Sequence, residues 1–83
     1  MTLGQDAVVK ALIALDKAEK QFTRYAEHHK LQADAALTDK AERDKRTAQA
    51  GTNYGYATVC GDALEHLRLA FPYEATLCSL RWA

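Results

Sequence analysis

From Thr38 to Phe71 the chain carries the signals of one long helix, closed by its only proline, Pro72. The Thr38 hydroxyl is suited to accept from an orphan amide in the first turn. Asp39 and Glu42 put negative charge at the positive end of the helix dipole. Asp39 with Arg43, and Glu42 with Arg46, are i,i+4 pairs, each contributing roughly 0.2–0.5 kcal/mol. At the far end Pro72 drives the residue before it out of helical geometry. Within the stretch, Gly51 and Gly55 each cost about 1 kcal/mol relative to alanine. Against that cost, Ala48, Gly51, Thr52, Gly55 and Val59 form a stripe of small residues at helical spacing, suited to close approach by another helix. The expectation is a continuous helix over 39–71 with 51–55 as the place for a kink. The alternative is a break at 51–55, giving three helices.

A second helix is expected over 6–32, which holds no proline or glycine and is rich in Ala, Leu, Lys and Glu. Its apolar stripe runs through Val8, Ala11, Leu12, Leu15, Ala18, Phe22, Tyr25, Ala26 and His29 at steps of three and four. Val9 and Ile13 widen it near the N-terminal end. Residues 33–38 are then a turn short enough to force the helices antiparallel. A turn centred near Ala35 or Ala36 sets Phe22 and Tyr25 opposite Ala48 and Lys45, Leu15 opposite Gly55, and Leu12 opposite Val59. The fold class is therefore all-α: a long antiparallel helical hairpin with its heaviest apolar content at the open end. The tail, 72–83, is expected either to add a short C-terminal helical cap in which Leu77, Leu80 and Trp82 pack over that end, or to remain a mobile terminus.

Composition limits how such a hairpin can be stabilised. Of the 83 residues 48% are hydrophobic, but sixteen are alanine, and there are only two Phe, one Trp and four Tyr. A chain this short leaves a large fraction of its surface exposed, and two helices share one seam. Oligomerisation into a helical bundle is expected, most simply a homodimer. Eleven basic residues balance eleven acidic ones, which removes the simplest argument for nucleic-acid binding. The longest apolar run, Ala11 to Leu15, is far short of a membrane span. The N-terminus lacks a basic region and carries Asp6, so a secretion signal is not expected. Cys60 and Cys78 are then expected as reduced thiols in a cytoplasm.

The residues offer little to catalysis or to metals. His28 and His29 point about 100° apart on a helix. Asp62 and His66 are i,i+4, yet the Glu-x-x-His repeat of a bundle di-metal site is absent. Cys60 reads as a small apolar residue rather than a reactive thiolate. Gly51 to Gly55 lacks the lysine and preceding strand of a phosphate loop. No enzyme activity, cofactor or metal is expected. Binding is the more open class. Lys40, Arg43, Lys45 and Arg46 interleave with Asp39, Glu42 and Asp44, and this run reads first as a solvated face. The sharper reading makes Arg43 and Arg46, with Tyr54 and Tyr56, a contact surface, because exposed Tyr and Arg favour interfaces. In an oligomer, facing copies of these residues could form a shared anion or nucleotide pocket.

The series Phe22…Tyr25-Ala26…His29, Lys40-Ala41…Arg43 and Cys60…Ala63-Leu64 resembles small helical accessory proteins of phages and prophages. The resemblance implies a setting rather than a chemistry: such proteins often block a host protein or sequester a host signal, as anti-CRISPR proteins and cyclic-nucleotide sponges do. The leading expectation is a non-enzymatic inhibitor that binds a host protein in the host cytoplasm. The alternatives are an oligomeric binder that sequesters a nucleotide signal, and a structural or assembly protein of a virion.

Overall fold

The computed structural model describes residues 3–82, with side chains described for residues 3–78. Three helices follow one another: α1 (Leu3–Ala35), α2 (Lys40–Ala70) and α3 (Pro72–Trp82). The first two pack antiparallel along almost their whole length. The result is a rod with principal extents of 56 × 21 × 17 Å and a radius of gyration of 16.8 Å, against about 12 Å for a compact chain of this size. Among the described residues no helix is long and apolar enough to cross a membrane.

The helix boundaries follow local chemistry, with some shifts from the sequence expectation. α1 begins at Leu3 rather than Asp6 and continues to Ala35, three residues past the expected end. The connection is therefore only residues 36–39. The N-cap of α2 is Asp39, not Thr38: its backbone is extended, and its Oδ1 accepts from the Glu42 amide at 3.0 Å. An aspartate cap with glutamate three residues on fits the capping-box spacing. This use of the Asp39 carboxylate replaces the expected pair with Arg43. The Glu42–Arg46 pair does form, at 2.8 Å. At the other end Phe71 leaves helical geometry (φ −131°, ψ 66°) ahead of Pro72, and its amide donates to the Leu67 carbonyl at 2.8 Å. Pro72 then starts α3 at the one helical position where its missing N–H costs nothing.

α2 is continuous through Gly51, Asn53 and Gly55, with no residue at positive φ. The small-residue stripe does not face α1, however. Ala48, Gly51, Thr52, Gly55 and Val59 are exposed, and a Cβ placed on Gly51 or Gly55 would meet nothing within 4 Å. The glycine at the close approach is Gly61, where an added Cβ would lie 3.3 Å from the Glu19 carboxylate.

The seam has heptad spacing instead. On α2 it is carried by Arg46, Ala50, Asn53, Ala57, Cys60, Leu64 and Leu67, all buried or half-buried, in steps of four and three. On α1 it is carried by Val8, Leu12, Leu15, Glu19, Phe22, Ala26, His29 and Ala33, in the same steps. That 3.5-residue repeat is the pattern of two helices supercoiled left-handedly about each other. Tyr25 and Ala11, expected on the seam, are exposed beside it. The register also differs from expectation. Phe22 meets Tyr56 rather than Ala48, His29 meets Arg46, and Glu19 meets Gly61. Moving the turn centre by one residue moves each partner by two, so the longer α1 accounts for much of the shift.

The larger buried side chains lie toward the open end, as the sequence suggests: Val9 at 0% exposure, Leu12 and Leu64. Toward the loop the buried positions are alanines, Ala26, Ala33 and Ala50. α3 folds back over the open end, with the Cys78 thiol 3.6 Å from the Val9 carbonyl oxygen. Leu77 is half-buried there. The expected packing of Leu80 and Trp82 lies outside the described side chains.

Candidate functional site

Viewed along its length, the hairpin has a seam and two flanks, and the residues singled out from sequence are divided among them. Arg46 lies in the seam. Its Nε donates to Glu42 Oε1 at 2.8 Å, and Nη1 lies 3.3 Å from His29 Nδ1. Half-buried and held on two sides, this guanidinium ties the loop end of α2 to α1. Its geometry is that of a structural tie rather than a free recognition group. Arg43, one turn earlier, is exposed.

Tyr54 and Tyr56 stand on opposite flanks, as their spacing of about 200° requires. Tyr56 packs against Phe22 with ring centroids 5.2 Å apart and planes tilted by 54°. Tilted aromatic pairs of this kind add about 0.5–1.5 kcal/mol beyond the area they bury. Tyr54 borders an open groove of about 360 Å³ between the helices, lined by Lys30, Ala33 and Asp34 of α1 and Thr47, Ala50 and Gly51 of α2. A neighbouring depression shares Lys30, Asp34 and Tyr54 and extends over Glu27 and Leu31. Arg43 lies four residues before Thr47, and so one turn along the same flank.

The four candidates therefore do not form one site. Arg43 and Tyr54 share a flank, Arg46 is in the seam, and Tyr56 is on the other side. Sequence reasoning missed Lys30 and Asp34. Only the register could have joined them to Tyr54, because both come from the facing helix; Thr47 stands seven residues before Tyr54 on α2 itself. Chemically the groove has a floor of two alanines and a glycine and a wall of one aromatic ring. Charges of both signs stand at its rim. It can hold a side chain or a stretch of polypeptide; it does not enclose a reacting group.

The other candidate chemistry is dispersed. Asp62 and His66 are both exposed, and among the described residues no group of three or more His, Cys, Asp or Glu is placed to hold a metal ion. Cys60 and Cys78 are free and half-buried. Comparison with protein-family models, with curated proteins and with solved structures finds no match.

Proposed function

We propose that this chain is a non-enzymatic interaction protein. It works as a homo-oligomer, captures a host protein through the flank bearing Tyr54 and Arg43, and inhibits it in the manner of phage accessory proteins. The observation that supports this reading best is the Tyr54 groove. An exposed aromatic ring stands beside a small-residue floor with Lys30 and Asp34 on the facing wall, the exposed Leu31 and Glu27 line the adjoining depression, and Arg43 lies farther along the same flank of α2. Aromatic and arginine anchors amid ordinary polar surface are what protein interfaces use for most of their binding energy. The phage setting rests on the sequence resemblance alone.

Sequestration of a nucleotide signal is less well supported. The Asp34 carboxylate lines the groove and Glu27 the depression beside it, so both oppose a phosphate group, while a stacked base would gain only Tyr54.

Affinity capture from the lysate of a bacterial host tests the proposal. One host protein is expected to be retained in fixed stoichiometry. Tyr54→Ala and Arg43→Glu are each expected to weaken its binding by about 2 kcal/mol, roughly thirtyfold, without lowering the melting temperature of the free chain. Capture that survives both changes would remove this flank from the mechanism. A nucleotide retained by the oligomer in native mass spectrometry, with no protein partner, would favour sequestration instead.

A further inference from the structure

The seam is not the only heptad-spaced stripe on these helices. Immediately beside it on α1 lie Ala7, Ala11, Ala14, Ala18 and Tyr25, again in steps of four and three with Gln21 between the last two. On α2, Thr52, Tyr56, Val59, Ala63 and Ala70 repeat the pattern, with His66 completing it. At about 100° per residue each stripe lies about 100° from its own seam. Phe22, at the edge of the α1 seam nearest its stripe, meets Tyr56, and Lys30 and Asp34 meet the Tyr54 side of α2, so both stripes lie on one flank. Over residues 7–25 and 52–70 neither stripe contains Asp, Glu, Lys or Arg; only nearer the loop does the α2 stripe reach Lys45 and Glu42. The opposite flank is charged, with Asp16 and Lys20 paired at 2.9 Å and with Arg24, Glu27, Lys30 and Asp34.

We infer that this uncharged flank is the interface with a second copy of the chain, so that two hairpins pair face to face as a four-helix bundle. The inference rests on the self-association proposed above and adds the surface that performs it. A 3.5-residue repeat is what a helix presents to a partner helix. Here two adjacent helices present it together, so the occupant that covers both is another pair of helices. Two-fold pairing brings a surface against its own copy, and a surface without charges meets no like charge there.

The areas agree. A folded monomer of 9.2 kDa is expected to expose about 4,900 Å². This chain exposes 5862 Å². The surplus of about 900 Å² is close to the ~800 Å² that each partner contributes to a stable interface of standard size. Within the hairpin only seven residues are buried apolar groups, four of them alanine. On the flank Val59 remains 67% exposed and Tyr56 53%. α3 docks near Val9, and Ala7, Ala11 and Ala14 stay uncovered.

Sedimentation equilibrium on the full chain, with native mass spectrometry on the same samples, tests the inference. The wild type is expected at twice the chain mass at micromolar concentration. Val59→Glu and Ala11→Glu each put a charge into the paired face at an exposed helical position, and each is expected to raise the dissociation constant at least a hundredfold while helical circular dichroism is kept. Glu65→Lys, off this flank, is the control and is expected to leave the dimer intact. If Val59→Glu fails to fold, Ala11→Glu decides the outcome. A dimer that survives both flank substitutions overturns the assigned face and leaves self-association standing. A wild-type monomer overturns both. A second protein bound stoichiometrically to monomer, and lost on Val59→Glu, would assign the flank to that partner and overturn self-pairing.

Discussion

Glycine at positions 51 and 55 has no packing role within the hairpin. Neither φ is positive, and neither site has an atom within 4 Å of where a Cβ would stand. The two residues leave the helix with a propensity deficit and no compensating contact. Gly51→Ala and Gly55→Ala are each expected to stabilise the chain by about 1 kcal/mol, a rise in melting temperature of roughly 4–8 °C for a domain of this size. The melts are compared at one protein concentration, because the proposed self-association would shift the midpoint by mass action. A fall in melting temperature at either site would mean that something approaches that face closely. Gly61 is different: its added Cβ would press on the Glu19 carboxylate. Sequence alone distinguishes these glycines poorly, since all three sit in the same helix and only the facing residue separates them. The same holds for Arg43 and Arg46, three residues apart, of which one is exposed and the other tied to Glu42 and His29.

At the scale of the element, the helices were legible because their signals are local. A proline stop, an acidic first turn and a long run of good helix formers place α2 to within a residue or two, and α1 to within three. The turn was less legible. Ala33, Ala35 and Ala36 are as acceptable in a helix as in a connection, so nothing in the sequence stops α1 at Gln32. That three-residue difference was enough to change every cross-helix pairing. The apolar stripe on α1 is divided in a way its spacing does not reveal: Leu12, Phe22 and Ala26 serve the seam, while Ala11 and Tyr25 lie exposed outside it. The seam's energy is concentrated in few side chains. Leu64→Ala, at a position only 3% exposed, is expected to cost about 2–5 kcal/mol, measured by urea unfolding. A cost below about 1 kcal/mol would place the stabilising contacts elsewhere.

At the scale of the whole molecule, the rod separates its surfaces by charge. One flank is mixed-charge and bears the Tyr54 groove, and the other, over residues 7–25 and 52–70, is uncharged and repeats every three and a half residues. The candidate site was only partly legible, since half of the groove comes from α1 and depends on a register the sequence does not fix. The unequal filling of the seam has a further consequence, in time rather than in space. Large side chains hold the open end, while alanines and a few polar ties hold the loop end, so the free energy of local opening falls from one to the other. Deuterium should enter the backbone amides around residues 29–35 and 40–50 long before those around Leu12 and Leu64, and uniform protection along the rod would contradict this. The protein would then spend much of its life with a closed base and a breathing tip, and the groove around Tyr54 belongs to the tip.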